Sequence, residues 1–298
     1  MLDELEARLR EDPYDDGRWL VLEDYLLETE DLRAVIVRCE HARMRREALA
    51  ARDAVTPLLL GAHHEAIASQ LVGVWRAGYL VDAAFDAHAV GVDLLEPLVA
   101  APATAVLRAL TVRCGTPDAA ARVIASVAAA RCATSLRSLT IEGRWLEQAR
   151  GPTIDIAGLA LRRLFLADRR MRLVPSPAVG ALTSLLVSPH HDGELAQLLA
   201  APLPAVRDLV VGVRALAVDA LAALLGGDAT PALATLQLVD VPPPRARALL
   251  EALASSALLP RLRTLALGNL RVPPASRGPA FAHLEVLALP PELAAAKA

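Results

Sequence analysis

The sequence predicts an α/β repeat fold: a solenoid with a parallel sheet on its concave side, helices on its convex side, and a small all-α cap at the N-terminus. Three observations predict it. A pattern L-x-x-L-x-L returns eight times from residue 107 onward. Stretches of helical period rich in Ala and Leu lie between the copies. Aromatic residues make up only 3% of a chain that is 54% hydrophobic, which favours many small repeated contacts over one aromatic-filled centre.

In chain order the cap comes first, over residues 1–75. Residues 2–10 read as a short helix broken by Asp12-Pro13. Asp15 or Asp16 then offers an N-cap for a helix through about Glu28, and Asp31 caps a longer helix reaching the region of Arg43 to Arg52. In the second helix Leu20, Val21, Tyr25 and the Leu26-Leu27 pair recur at near-helical spacing, so they are expected to face inward, with Glu23, Asp24 and Glu28 on the wet side. The segment DPYDDGRWLVLEDYLLETEDLRAVIVR, with Pro13, Asp15, Asp16, Arg18, Asp24, Glu28, Asp31, Arg33 and Arg38 in matching places, resembles the repeat-companion domain that some bacteria place ahead of leucine-rich or similar repeats. The resemblance covers residues 1–42; Tyr25 replaces its Trp and Glu30 its Gly. It implies no catalytic activity, and a solenoid needs its first apolar edge covered, so capping is the expected role.

The repeats occupy residues 76–298. The matching segments are LRALTV at 107, LRSLTI at 136, LRRLFL at 161, LTSLLV at 182, VRDLVV at 206, LATLQL at 233, LRTLAL at 262 and LEVLAL at 284. A ninth, LVDAAF at 80, fits more loosely. Starts 21 to 29 residues apart fall within the range of such repeats. The last two apolar positions of each segment share one strand face, and their neighbours share the other. Between strands, PDAAARVIASVAAAR at 117, ALAVDALAALLGG at 215 and PRARALLEALASS at 244 have helical period; the shorter intervals leave room only for a turn or a 3₁₀-like segment. This resembles the leucine-rich-repeat solenoids, closest to their ribonuclease-inhibitor-like class, with eight or nine repeats. Where that family has Asn or Cys at the bend, this chain has Gly115, Arg144, Arg169, His190, Arg214, Val241, Leu270 and Glu292, so the bends must be satisfied otherwise.

Net charge is −3, so no global field draws the protein to nucleic acid or an anionic membrane, and such partners would need a local patch. The start MLDELEARLR has no apolar leader, and no stretch reaches the roughly 18 uncharged apolar residues of a membrane span. A cytoplasmic location is expected. Cys39, Cys114 and Cys132 are too few and scattered for a disulfide framework or a zinc site and are expected as buried thiols. The only lysine is Lys297, which excludes a Walker A loop, a protein kinase and a pyridoxal Schiff base. GxGxxG is absent too. No cofactor or metal is expected.

Chemical candidates are weak. Asp15 and Asp16 sit where caps belong, without a nearby His. Cys39 and His41 are two apart on a helix and so face different ways. His190, His191 and Asp192 are consecutive, and consecutive ligands seldom converge on one metal; His63-His64 has the same weakness. Surface columns say more. The residue after the first Leu is Arg in five repeats, Arg108, Arg137, Arg162, Arg207 and Arg263, which makes a basic edge for phosphates or an acidic protein, or a row of arginines paired with local acids. The concave column carries Phe165, Leu186 and Val210 on successive strands, rimmed by Arg163, Asp208, Arg113 and Glu142. An apolar centre with a polar rim suits a protein partner. The last strand is followed only by PPELAAAKA, so its edge is open to a partner or to self-association. The expectation is a non-enzymatic protein-interaction module or scaffold. The alternatives are a regulatory or inhibitory subunit of a catalytic partner and, less favoured, nucleic-acid binding along the arginine edge.

Overall fold

A computed structural model describes residues 1–87, 92–143, 152–167, 171–189, 191–214, 216 and 221–290. Arg144, Arg169, His190, Pro291, Glu292 and Lys297 lie outside the described residues. The chain forms two compact units, Met1–Ala149 with Gly158–Leu161, and Arg150–Ala157 with Arg162–Ala298. Both are mixed α/β and built on mostly parallel strands.

The first unit opens with helices α1 (Leu2–Glu11), α2 (Asp16–Glu28), α3 (Ala34–His41), α4 (Arg45–Leu60) and α5 (His64–Gln70). Asp15 caps α2, its carboxylate accepting from the backbone N–H groups of Gly17 and Arg18. The stripe that α2 buries differs from the expected one. Trp19, Leu22 and Leu26, at i, i+3 and i+7, are fully buried, whereas Leu20 and Val21 are more than half exposed. Each of the three buried side chains stabilises the fold by roughly 1.5–3 kcal/mol through burial. Glu23, expected on the wet side, is buried as well. The long helix expected after Asp31 is two helices, because the chain turns at Arg43 with φ +57°. The N–H of Met44 reaches the carbonyl of Cys39 and that of Arg43 reaches Glu40, the paired closure of a helix C-terminus that usually carries glycine.

Strands β1 (Leu71–Arg76) and β2 (Tyr79–Asp86) form an antiparallel hairpin through Ala77 and Gly78, both at positive φ. A side chain on Gly78 would run into Arg33. β3 (Ala109–Cys114) and β4 (Ser138–Gly143) follow in parallel, in the order β1-β2-β3-β4. α6 (Leu95–Ala100) lies between β2 and β3 and α7 (Pro117–Ala129) between β3 and β4, the latter over the stretch read as helical. One core joins cap and sheet: Leu5, Leu9, Trp19, Leu22, Leu26 and Val37 from the helices pack with Tyr79 and Val81 from β2.

In the second unit β6 (Arg163–Leu166), β8 (Ser184–Val187), β9 (Asp208–Gly212), β10 (Thr235–Val239), β11 (Thr264–Ala266) and β13 (Val286–Leu289) are parallel neighbours in that order. All eight L-x-x-L-x-L segments of the chain thus contain a strand. Their second apolar residues pair directly: Leu110 with Leu139, and Leu164, Leu185, Leu209, Leu236, Leu265 and Leu287 in succession. Each is buried, so alternate positions on every strand are core. Connections include α8 (Pro177–Gly180), α9 (Asp192–Leu199), α10 (Ala222–Gly226) and α11 (Pro243–Ala254), and the 262-to-284 interval holds two 3₁₀ turns. A pair of two-residue strands, β5 (Thr153–Ile154) and β7 (Arg172–Leu173), forms a separate small sheet that the sequence pattern does not signal.

Without the Asn ladder, Arg245 takes the Leu216 carbonyl and Arg277 the Val272 carbonyl, each two residues past a bend position. Ahead of the strands, the Ser135 hydroxyl donates to Leu107 and Cys132, the Thr104 hydroxyl to Leu98, Val99 and Ala101, and Arg277 also to Leu284 and Glu285. The edge expected to lie open after the last strand is paired in part by the chain itself. β12 (Leu270–Arg271) pairs antiparallel with β13, Leu270 against Leu289 and Arg271 against Ala288. Among the described residues no helix is long and apolar enough to cross a membrane.

Candidate functional site

The outward positions of the second unit carry the most coherent surface feature. Phe165, Leu186 and Val210 lie directly opposite one another on β6, β8 and β9, and all three side chains are half-buried rather than core. Strand pairing sets them about 4.8 Å apart, so they form one apolar ridge. Gln237, Ala266 and Ala288 continue the column, smaller and in part polar. The neighbouring column brings Arg163 opposite Ser184 and Ser184 opposite Asp208. Ser184 donates its hydroxyl to Asp208 Oδ2 at 3.0 Å, which fixes that carboxylate, while Arg163 stays exposed.

Arg113 and Glu142 belong to the first unit, on β3 and β4, and form an exposed ion pair at 2.9 Å. Hydrogen bonding to Glu142 holds the Arg113 guanidinium above its ordinary pKa. Such an exposed pair shapes a surface more than it stabilises one.

The five arginines of the basic edge have separate fates. Arg108 reaches Asp82 Oδ2 at 3.0 Å and lies over the Tyr14 ring, 5.0 Å from its centroid. Arg137 turns back to the cap, donating to the carbonyls of Arg10 and Glu11 at the end of α1 and to those of Thr134 and Ala160. Arg263 stands 3.8 Å from Glu285, and Arg162 and Arg207 are exposed. A guanidinium that already holds carbonyls has few donors left for a phosphate. The first unit's share of the column is therefore internal bracing.

The cap holds two polar clusters, each built around a buried carboxylate, Glu6 in one and Glu23 in the other. In one, Tyr79 donates its hydroxyl to Glu6 Oε1, Arg33 lies over the Tyr79 ring with 4.7 Å to the centroid, and Arg33 grips both oxygens of Asp31. That hydrogen bonding holds the Asp31 carboxyl below its usual range. In the other, Glu23 accepts from Arg76 Nε through one oxygen and meets His41 Nε2 through the other, both at 2.9 Å. Arg76 also pairs with Asp16 and lies over Trp19. Glu40 accepts the Ala77 N–H at the hairpin turn; burial pushes its carboxyl up, with Glu23 adding to the shift against the pull of that N–H. Both oxygens of Glu23 are occupied, so the cluster holds α2, α3 and β1 together.

The remaining candidates fall apart spatially. His191 sits at the start of α9, 3.4 Å from Glu194, and His64 meets the Gly61 carbonyl. Among the described residues no three His, Cys, Asp or Glu side chains converge as metal ligands would. Cys114 and Cys132 are buried, and burial pushes their thiols up to about 12 and about 11; Cys39 is only half-buried.

The sequence reading missed the roles of Trp19 and Glu23. The i, i+3, i+7 spacing of Trp19, Leu22 and Leu26 could have shown the first; nothing local shows the second, since Arg76 lies 53 residues away. Comparison of the chain with protein-family models and with curated proteins returned no match.

Proposed function

We propose that the chain is a leucine-rich-repeat solenoid behind a helical cap similar to the repeat-companion domain, and that it acts in the cytoplasm as a non-enzymatic module that binds a protein partner. The observation that carries this reading is the ridge of Phe165, Leu186 and Val210, in register on adjacent strands and only partly buried although apolar. The exposed remainder of these three side chains forgoes roughly 1–4 kcal/mol, at about 25 cal/mol per Å², and a partner would recover it. The rim of Arg163 and the Ser184–Asp208 pair supplies orientation, because charges at the edge of an apolar patch select among partners more than they tighten binding. The leucine-to-leucine register of eight strands supports the repeat reading, and the shared core of α1, α2 and β2 supports the cap as an end cover.

The test compares wild type with Phe165→Asp and with an Arg162→Glu/Arg207→Glu pair in capture from lysate of the source cells, followed by melting curves of all three. Loss of one reproducible partner with Phe165→Asp alone, at an unchanged melting temperature, supports the reading. An identical captured set, or a protein that no longer melts cooperatively, counts against it.

A further inference from the structure

The basic residues of the cap are not evenly used. Residues 1–76 contain ten arginines against sixteen carboxylates. Arg8, Arg10, Arg18, Arg33, Arg52 and Arg76 each stand within ion-pair distance of an acid. The other four, Arg38, Arg43, Arg45 and Arg46, follow one another along the chain and are all exposed. Among the described residues none of these four has a side-chain hydrogen bond or ion pair. Acids are in excess, so pairing was available. The fold instead gathers the unpaired cations at one corner, where they repel one another.

Three further observations converge there. Arg43 holds φ +57° at the end of α3, a conformation that costs an L-residue about 1–2 kcal/mol and that glycine would adopt freely. An open cleft of about 480 Å³ sits beneath it, lined by Cys39, Glu40, Arg43, Arg45 and Ala48. And α4, which leaves this corner, buries only Leu59 and Leu60 near its far end. Met44 and Leu49 beside the arginines are each close to half exposed.

We propose that the α3–α4 corner is a docking site for an acidic peptide segment of a partner protein, its carboxylates pairing with Arg43 and Arg45 at the cleft and its apolar side chains resting on Ala48 and Leu49. Guanidinium groups match carboxylates two bonds at a time. The corner selects a peptide over a nucleic acid, because residues 38–49 hold no Phe, Tyr or Trp on which a base could stack, the one ring there, His41, is held by Glu23, and Ala48 and Leu49 offer apolar side chains a surface. It selects a peptide over an anionic membrane because Glu47 and Asp53 are exposed on the same helix. The site is separate from the Phe165 ridge and does not depend on it.

The test uses the full chain and a fluorescein-labelled 12-residue peptide of alternating Glu and Leu, read by anisotropy at low salt, beside its Gln-for-Glu analogue. A single-stranded DNA 12-mer and phosphatidylserine vesicles serve as the other anions. The expected result is binding of the Glu peptide at least about tenfold tighter than the Gln analogue and tighter than either other anion. Arg43→Gly, which suits the backbone, is expected to weaken binding about fivefold without lowering the melting temperature. Glu40→Gln is expected to tighten binding, and Phe165→Asp to leave it unchanged. Equal binding of the Gln analogue, no loss with Arg43→Gly, or tighter binding of the DNA or the vesicles would overturn the proposal.

Discussion

The Tyr79 hydroxyl donates to Glu6 Oε1 across 2.7 Å, with both side chains buried. Glu6 sits on α1 and Tyr79 opens β2, so this one bond pins the first helix to the first parallel strand. Trp19 meets the Tyr79 ring edge-on at 5.9 Å, and Arg33 covers it. Tyr79→Phe keeps the ring packing and leaves the Glu6 charge one donor short. It is expected to cost about 1.5–3 kcal/mol, the range for a hydrogen bond to a charged group. Urea unfolding of the two proteins measures it; a loss under 0.5 kcal/mol, well below that range, would show that Arg33 and Arg10 satisfy Glu6 unaided.

Arg137 closes α1 from the other side, donating to the Arg10 and Glu11 carbonyls that the end of a helix leaves unpaired. A lysine keeps the charge but has no planar fork to hold several carbonyls at once. Arg137→Lys is therefore expected to raise amide hydrogen exchange in Leu2–Glu11 selectively, with a global loss of about 1–2 kcal/mol. Uniform exchange changes across the first unit would contradict a local tether.

These two relationships also show where sequence reading stops. The eight strands were legible because a period of two with leucine at fixed places needs no distant information, and the Asp15 cap because capping acts over three residues. The inner face of α2 was misread because Leu20 and Val21 are as apolar as Leu22 and Leu26; what decides is Trp19, whose Nε1 donates to the Pro13 carbonyl inside the core. The burial of Glu23 depends on Arg76, and the use of Arg137 depends on α1, 126 residues upstream. The break at Arg43 carried no glycine or proline to announce it. The Phe165 ridge was readable as a column, but the division of the arginine column into braces and exposed side chains was not.

Glu30 lies at φ +52° just past α2, where the Asp31 N–H closes back onto the Leu26 carbonyl. Its side chain is exposed and the conformation is the one glycine tolerates best. Glu30→Gly is expected to stabilise the fold by about 0.5–1 kcal/mol, with the strain relieved outweighing the entropy gained by the unfolded chain. Glu30→Ala removes the same charge and keeps the strain, so it should gain nothing. A gain of equal size in both variants would assign the effect to charge and not to backbone.

Alkaline pH supplies the last prediction. Burial raises Cys114 and Cys132 to about 12 and about 11, and burial, with Glu6 adding, drives the Tyr79 phenol far above its usual value. For each group the folded pKa lies above the unfolded one, so the folded state keeps a proton that the unfolded chain releases. Stability is therefore fully present below the unfolded values, near 9 for the thiols and 10 for the phenol. It falls as pH rises from there toward the folded ones. Each group contributes a slope of about 1.4 kcal/mol per pH unit within its window. Cys132→Ala should flatten the decline between pH 9 and 11 while costing stability at pH 7. The same burial should leave Cys39 as the thiol that reacts first with a disulfide reagent in the native protein, since Cys114 and Cys132 are closed off. A pH profile with no fall above 9, or three thiols reacting at one rate, would mean that these cysteines are exposed in solution.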